Sequence, residues 1–268
     1  MNWWQVVVVA WAVLAIVMAI LWWRQKATGN AGTVDIAWSF GTGLAGIWFA
    51  LAPFADDGVL WRQGLVAGCA FFWSLRLGAY VWQRVRSSEE DGRYRELREA
   101  WGEAVQRKLF WFFQFQALFA VIFALPMLLA ARQLEPTFRV LDLLAVAIFA
   151  TAVLGEALAD RQLARFKADP ANRGKVCDRG LWRYSRHPNY FFEWLHWFAY
   201  VFLAVDVDGR YGWGWFALLG PILMWVTITR VTGIPPTEKH MVASRGEAYR
   251  AYQARTSAFF PRPPRAQP

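Results

Sequence analysis

The sequence predicts an all-α membrane protein, a bundle of about seven transmembrane helices with its N-terminus outside and its C-terminus in the cytoplasm. Three observations support this class. Hydrophobic residues make up 57% of the 268 residues, with 18 Trp and 21 Phe, far more than a soluble domain of this length needs. Seven apolar runs approach the ~20 residues that cross a bilayer. Basic residues fall mainly on alternate connections between these runs.

The apolar runs define the predicted spans and the domain. They lie at about 3–23, 34–55, 59–83, 109–131, 140–160, 189–206 and 211–231. Tryptophan pairs flank the first run, and no basic segment or cleavage site marks it as a signal peptide, so we expect a permanent helix. No repeat and no Gly/Ser linker divides the chain. We therefore expect a single membrane domain over residues 1–268.

The distribution of basic residues sets the predicted orientation. The connections after the first, third, fifth and seventh runs carry most Lys and Arg residues, whereas the opposite connections carry only Arg62, Arg132, Arg139 and Arg210. Basic loops stay in the cytoplasm, so an odd number of spans leaves the N-terminus outside. The formal net charge of +9 is explained by this bias, and no nucleic-acid partner is expected.

Two cytoplasmic segments are predicted to add helices. The loop 84–108 has the charge pattern of a short amphipathic helix. The segment 237–256 is predicted to form a cytoplasmic helix, with Thr237 as its N-cap and Glu238 in its first turn. The proline-rich stretch that follows, FFPRPPRAQP, is expected to be frayed or extended.

Several common classes of site are excluded by composition and motif. The two cysteines give neither a disulfide framework nor a Cys-rich metal site, and three histidines are too few for a membrane di-iron enzyme. Glu193 and His196 have the spacing of a carboxylate-bridged metal site, but the second copy that such a site needs is missing, so no metal is expected. The sequence lacks the glycine-rich motifs of soluble nucleotide-binding folds.

The stretch 180–196, GLWRYSRHPNYFFEWLH, concentrates the polar residues most typical of a site. Pro188 suits the first turn of a helix, and Asn189 and Glu193 lie four residues apart on one face of it. Arg183, Arg186 and His187 come just before that helix. Guanidinium groups and free backbone N–H groups at a helix N-terminus both favour anions. The stretch therefore predicts an anion-binding site beside a buried polar face.

Ionisable residues inside the predicted spans are the other candidates, because charges are costly in a bilayer and usually face a cavity or a partner. Asp35 opens the second run, and the third carries a stripe of Arg76, Tyr80 and Arg84 spaced by four. Glu156 and Asp160 form a similar stripe in the fifth. All lie toward the cytoplasmic ends. The alternative is that these charges only neutralise one another as buried pairs.

A family resemblance adds to these patterns. Residues 180–193, with VDIAW at 34–38 and EDGRY at 90–94, resemble the uncharacterised bacterial branch of the steroid 5-alpha-reductase-like integral membrane proteins, the domain of unknown function 1295. The resemblance implies a bundle of about seven spanning helices that holds NADPH in a cytoplasm-facing cavity, and it places the protein in the bacterial inner (cytoplasmic) membrane. It implies that Asn189 and Glu193 hold the nicotinamide end and that Asp160 contacts the cofactor.

The expected function is therefore NADPH-dependent reduction of a carbon–carbon double bond in a lipid-like substrate, a steroid, isoprenoid or acyl compound. The candidate cofactor-binding residues are Arg76, Arg84, Asp160, Lys167, Arg183, Tyr184, Arg186, His187, Asn189, Glu193 and Glu238. Reduction leaves negative charge on a substrate carbonyl oxygen, and a donor must meet that charge. Asp35 and Tyr80 are the candidate catalytic donors.

Two alternatives remain open. The RHPNY run and the tail TEKHMVASRGEAYRAY also resemble isoprenylcysteine and phospholipid methyltransferases, which bind S-adenosylmethionine with an arginine-histidine-proline motif and a tail glutamate. Those enzymes usually continue with a glycine where this chain has Phe191 to Glu193, and Glu193 favours the reductase. The second alternative is a non-catalytic lipid-binding membrane protein in which the polar residues only pack. The oligomeric state is not indicated by the sequence.

Overall fold

The computed structural model describes residues 1–54, 58–87 and 92–265. Within them every regular element is helical, which confirms the predicted all-α class. The α-helices are α1 (Trp3–Thr28), α2 (Thr33–Leu51), α3 (Leu60–Ser87), α4 (Gly92–Trp101), α5 (Val105–Ala131), α6 (Val140–Ala168), α7 (Pro188–Ala204), α8 (Leu219–Val226), α9 (Ile234–Arg245) and α10 (Glu247–Arg255). The amphipathic helix expected between 84 and 108 is α4.

The described helices fit a multi-pass membrane protein. Six helical runs are long and apolar enough to cross a bilayer: Trp3–Thr28, Thr33–Leu51, Leu60–Arg86, Gly92–Ala131, Val140–Ala168 and Gly212–Arg245. The remaining predicted span is α7, which has 17 residues. At ~1.5 Å per residue it is ~25 Å long, slightly short of a ~30 Å hydrocarbon layer. The helix count is thus consistent with about seven apolar segments.

The chain divides into two compact units. Unit 1 comprises Met1–Phe138 and Leu203–Ala217, and unit 2 comprises Arg139–Phe202 and Leu218–Pro268. The Asp35 end of α2 and the polar stripe of α3 lie in unit 1. The stretch 180–196 and the C-terminal helices lie in unit 2. Each group of candidate residues is therefore held by the packing of its own unit.

Unit 1 is built around α2, which packs against α1, α3 and α5. Its sequence FGTGLAG places glycines where neighbouring helices approach most closely. A Cβ on Gly43 would lie 2.1 Å from Ser74 Cβ of α3, and one on Gly46 would lie 2.1 Å from Met127 Sδ of α5. Small residues at such contacts let helix backbones approach in a membrane, where van der Waals packing replaces the hydrophobic effect as the force between helices.

Unit 2 anchors a tight turn on α6. The turn is a 3₁₀ helix, Gly180–Arg183. Trp182 Nε1 donates to the Ala159 carbonyl at 2.9 Å, and Leu181 N donates to Gln162 Oε1 at 2.9 Å. Gly180 has φ +58°, and a Cβ there would lie 2.5 Å from Gln162 Oε1. The turn therefore fixes the chain that leads into α7.

The C-terminal region differs from the predicted helix over 237–256. Two helices form instead, and they break at Gly246, which has φ 54°. The first starts at Ile234 with Gly233 as N-cap, because Pro235 and Pro236 suit a first helical turn. Thr237 is therefore not the N-cap, and its hydroxyl donates to the Gly233 carbonyl at 2.8 Å.

After α10 the described chain has no regular secondary structure, and residues 260–263 are exposed, in line with the expected frayed or extended end. Phe259 is packed, so fraying is the wrong prediction at that residue. Phe259 is 5% exposed and lies against Phe191, Trp194 and Trp225, with ring centroids 4.9 to 5.9 Å apart. Its carbonyl accepts a 2.8 Å hydrogen bond from Ser185 Oγ. Buried aromatic side chains contribute enough apolar area to hold such a segment in place.

Candidate functional site

The N-terminus of α7 gathers most of the predicted site residues of unit 2. Pro188 is the first residue of α7, as expected. Ser185 is fully buried and fixes the chain just before α7. Its Oγ accepts a 3.1 Å hydrogen bond from His187 N and donates to the Phe259 carbonyl. Arg186 N donates to the Ser257 carbonyl at 2.8 Å. The segment before α7 is thus fastened to the C-terminal segment by backbone and side-chain bonds.

Arg186 is at the centre of a polar cluster formed with His187, Glu238, Tyr249 and Gln253, here called the Arg186 cluster. Its Nε donates to Glu238 Oε1 at 2.7 Å, and its Nη1 donates to the Gln253 carbonyl at 3.1 Å and to the Thr256 carbonyl. The guanidinium is 10% exposed and the Glu238 side chain 17%. Arg186 therefore pairs with a carboxylate and also caps the end of α10.

Glu238 receives the other polar groups of the Arg186 cluster. His187 Nε2 lies 3.1 Å from Glu238 Oε1, Gln253 Nε2 donates to Oε2 at 2.8 Å, and Tyr249 OH lies 3.5 Å from Oε1. The His187 ring stacks on Tyr190 with an interplanar angle of 6°. The His187 ring, the Gln253 amide and the Tyr249 hydroxyl therefore all face the Glu238 carboxylate.

Burial decides the protonation of the neutral members of this cluster. It lowers the pKa of His187 below its ordinary value, although the hydrogen bond and charge of Glu238 oppose that shift. Burial also raises the pKa of the Tyr249 phenol, and the Glu238 charge adds to the effect. At neutral pH the charges of the cluster are therefore those of Arg186 and Glu238.

The Arg186 cluster differs from the anion-binding site that the sequence predicted. The sequence pattern placed a ligand's anion at Arg186 and His187. In the structure a carboxylate of the chain itself, Glu238, meets both side chains. A second anion brought to the same two groups would face this carboxylate, so the free cations of unit 2 have to be sought elsewhere.

A second polar group of unit 2 lies on α6 and α7. Asn189 Nδ2 donates to Asp160 Oδ1 at 3.2 Å, and Asn189 Oδ1 accepts from Tyr190 N at 3.1 Å. Glu193, one helical turn further along α7, is 7% exposed, and its Oε1 lies 3.8 Å from His196 Nδ1. The structure thus joins Asp160 to Asn189 and buries Glu193 one turn further along the same helix.

The remaining predicted residues of unit 2 are exposed. Lys167 lies in the last turn of α6, Arg183 closes the 3₁₀ turn, and the Tyr184 side chain is 43% exposed. The Tyr184 carbonyl accepts from Arg262 N at 3.0 Å. Lys167 and Arg183 present cations to solvent outside the Arg186 cluster.

In unit 1, Asp35 forms its own cluster with Arg84, Arg93 and Tyr94, here called the Asp35 cluster. Tyr94 OH donates to Oδ1 at 2.7 Å, and the guanidiniums of Arg93 and Arg84 donate to Oδ2 at 2.9 and 3.4 Å. Tyr94 is 3% exposed. Asp35 therefore acts as an acceptor for three donors, and Arg84, predicted as a cofactor contact, is one of them.

Arg76 and Tyr80 lie on α3, in the turns before Arg84. Arg76 is half-buried and the Tyr80 side chain is 37% exposed. Arg76, Tyr80 and Arg84 follow one another at intervals of four residues along α3, the spacing that defined the predicted stripe. Of the EDGRY motif, Glu90 and Asp91 lie outside the described residues.

Several members of both clusters carry no strong signal in the sequence. Arg93 and Tyr94 belong to the EDGRY motif, and Tyr249 and Gln253 to the segment 237–256, but none of the four was predicted as a site residue. The available sequence signal for Tyr94 was an aromatic residue between the charged residues of α4. The carbonyl groups that Arg186 caps had no signal, because long-range pairing with the backbone leaves no periodic pattern.

Comparison with known proteins covers both clusters. The DUF1295 family, described as proteins of unknown function, matches residues 21–256, from within α1 to just past α10. The chain is also 27% identical over 267 residues to the uncharacterized protein C594.04c of Schizosaccharomyces pombe, across 91% of this chain and 76% of the yeast protein. No solved structure matches it. With most of its length matched, the chain belongs to the DUF1295 family.

Proposed function

We propose that this protein is an integral-membrane, NADPH-dependent reductase of a carbon–carbon double bond in a lipid-like substrate, such as a steroid, an isoprenoid or an acyl compound. One observation carries the proposal. Asn189 is oriented by Asp160, with 3.2 Å between Nδ2 and Oδ1, and the carboxylate of Glu193 is buried one turn further on. The resemblance to steroid 5-alpha-reductase-like proteins supports it through these same residues.

The Asn189 and Glu193 side chains fit the nicotinamide end of the cofactor. A carboxamide needs one acceptor and one donor, and a buried carboxylate and a fixed amide supply both. Asp160 keeps the Asn189 amide from rotating, and such positioning can contribute more to rate than to binding. NADPH, when bound, supplies the hydride.

The phosphate groups call for cations that the protein has not already neutralised. Arg186 and His187 hold Glu238 of α9, so they fasten α9 to the chain before α7 rather than contact phosphate. Lys167 and Arg183 are the basic residues that remain exposed among the predicted cofactor residues of unit 2. The proposal therefore assigns phosphate contacts to these two side chains.

The proton donor is assigned within unit 1. A donor must meet the negative charge that develops on the substrate carbonyl oxygen. The Asp35 oxygens already accept bonds from Arg84, Arg93 and Tyr94. Tyr80 carries a hydroxyl donor and is partly exposed, so it fits the role better than Asp35.

The first prediction tests cofactor binding with purified protein in detergent. NADPH at a hundred times its dissociation constant is expected to stabilise the protein by about 2.7 kcal/mol. Asn189→Asp removes the amide donor without changing shape, and loss of one good hydrogen bond is expected to weaken NADPH binding about tenfold. Gln83→Glu makes the same change of charge on an exposed residue of α3 and is the control.

Binding is followed by thermal unfolding and by isothermal titration calorimetry. Unchanged NADPH affinity in Asn189→Asp, or equal weakening in Gln83→Glu, would remove Asn189 from the cofactor site. Absence of any stabilisation by NADPH at saturating concentration would remove the reductase proposal itself.

A specific observation favours S-adenosylmethionine-dependent methyl transfer as the second candidate function. The arginine and histidine of the RHPNY run meet the tail glutamate at 2.7 and 3.1 Å. The methyltransferases that this part of the chain resembles use the same residue types. A cation beside a carboxylate also suits an amino-acid moiety, which carries both charges. Stabilisation by S-adenosylmethionine, lost in Glu238→Gln, together with no effect of NADPH, would decide for this candidate.

A further inference from the structure

The C-terminal segment of unit 2 forms a basic cleft that neither proposed function uses as a whole. Two adjoining cavities of about 430 and 320 Å³ share Arg255, Thr256 and Arg265 in their walls. Arg183 completes the first cavity and Arg262 the second. We call Arg183, Arg255, Arg262 and Arg265 the basic cleft. Its combined volume is within the range of small-molecule sites.

The charge of the basic cleft is largely uncompensated. Arg255 pairs with Asp178, which lines the first cavity. Across the described ranges 1–54, 58–87 and 92–265, no carboxylate lies within ion-pair distance of the other three guanidiniums. The basic cleft thus contains four guanidiniums and one carboxylate. Such a concentration of positive charge is costly without an anion.

Backbone hydrogen bonds fix the main-chain segments that carry the four arginines of the cleft. Arg265 N donates to the Arg255 carbonyl at 2.9 Å, and Arg262 N donates to the Tyr184 carbonyl at 3.0 Å, next to Arg183. The proline residues Pro263 and Pro264 between them restrict the backbone further. The four side chains therefore converge from segments whose main chains are tied together, which lowers the entropy cost of binding.

We propose that the basic cleft binds a phosphate group, carried either by an anionic phospholipid or by a soluble phosphorylated ligand. Guanidinium groups match phosphate oxygens in geometry and charge, and several of them around one cavity are typical of phosphate recognition. The cleft adjoins the Arg186 cluster, because Arg186 and Gln253 also line the 320 Å³ cavity, but the charge of Arg186 is already balanced by Glu238. For the soluble ligand, the inference rests on the proposed function, since the phosphates of NADPH would be its source.

The surroundings of the cleft connect it to the membrane surface. Phe259 and Phe260 lie three and two residues before Arg262. They pack on Trp194 of α7 and Trp225 of α8, two helices of the predicted spans. The Phe260 side chain is still 38% exposed. Tryptophan residues such as Trp194 and Trp225 are enriched at headgroup level, where anionic lipids attract basic residues.

The test measures binding of two probes to purified protein in one detergent at fixed ionic strength. Dioctanoyl-phosphatidylglycerol represents the lipid source, with dioctanoyl-phosphatidylcholine as its neutral reference, and 2′,5′-ADP represents the soluble source. Arg262→Gln with Arg265→Gln removes two charges of the cleft. Arg161→Gln with Arg165→Gln removes two exposed charges of α6 and is the matched control.

We expect saturable binding of at least one phosphate probe, weakened tenfold or more in the cleft variant and unchanged in the control, since two basic residues contribute about 2 kcal/mol. Phosphatidylglycerol binding assigns the lipid source and 2′,5′-ADP binding the soluble one. Equal weakening in both variants, no weakening in the cleft variant, or no saturable binding of either probe overturns the proposal. If the double variant does not fold, Arg265→Gln against Arg165→Gln gives the same comparison. The phosphatidylglycerol result does not depend on whether NADPH binds.

Discussion

Arg186 shows how one residue can look like a ligand contact and serve the fold. Its guanidinium bonds to the Glu238 carboxylate and to the carbonyls of Gln253 and Thr256, all from the C-terminal helices and the residues after them. Removing it would leave a largely buried carboxylate and two carbonyls without their cation, a loss that typically costs about 3 kcal/mol or more. Periodicity could place Arg186 before a helix, but it could not show a partner 52 residues away.

His187 makes a prediction about pH at the same scale. Its pKa in the folded protein lies below its ordinary value, mainly because of burial. The folded state therefore favours the neutral ring, and the unfolded state takes up a proton first as the pH falls below about 6.5. This contribution to stability is present above that pH and is lost below it, at up to about 1.4 kcal/mol per pH unit.

The measurement is the slope of the unfolding temperature between pH 7 and pH 5. His187→Gln is expected to flatten this slope, whatever its effect on stability at pH 7. His240→Gln changes an exposed histidine of α9 and should keep the wild-type slope. A wild-type slope in His187→Gln would contradict the assignment.

At the scale of elements, the close contacts of α2 depend on its glycines. Gly43 meets Ser74 of α3 so closely that a Cβ would clash with another Cβ, which cannot rotate away. Gly43→Ala is therefore expected to destabilise the protein by about 1 to 3 kcal/mol, the usual cost of overpacking. Gly68→Ala, on α3, has open space around the new Cβ. It is expected to be neutral or to stabilise by up to about 1 kcal/mol, because alanine favours a helix.

Thermal unfolding of both variants in the same detergent checks this difference. Equal stability of Gly43→Ala and Gly68→Ala would mean that α2 and α3 are less closely packed than described. The pair is matched because both substitutions add one methyl group inside a helix and differ only in the space around it.

The elements also show how far hydropathy and capping signals reach. The start of α7 at Pro188 and the existence of α4 were predictable, since proline and charge patterns act locally. The break at Gly246 had a local signal too, because glycine adopts its positive φ without strain. The packing of Phe259 had none, because its partners Phe191, Trp194 and Trp225 lie far away in sequence.

At the scale of the whole molecule, the few basic residues on the predicted outer side each have a partner. Arg62, which is fully buried, donates to the carbonyls of Leu203 and Glu135, and Arg132 donates to the Ala50 carbonyl. Arg139 pairs with Asp142, and Arg210 with Asp208. These four arginines are few beside the Lys and Arg residues of the alternate connections, so the predicted orientation by the positive-inside rule stands.

The predicted topology is tested by reporter fusions after residues 100, 135, 175 and 208. Reporters active in the cytoplasm are expected to work at 100 and 175 and to fail at 135 and 208, because basic loops remain inside. The matched series with a periplasmic reporter should give the opposite result. Cytoplasmic activity at 135 or 208 would require a different number of spans.

The long-range closure of unit 2 by its last residues has a consequence for biosynthesis. Ser257 and Phe259 accept bonds from the chain before α7, and Thr256 from Arg186, yet all three residues are synthesised after every predicted span. During translation Ser185 and Arg186 are therefore made before the C-terminal residues with which they form these hydrogen bonds. A chain stopped near residue 250 would contain each span and still lack this closure. Cells could distinguish finished from unfinished copies by the exposed segment before α7, where a chaperone or protease would find its substrate.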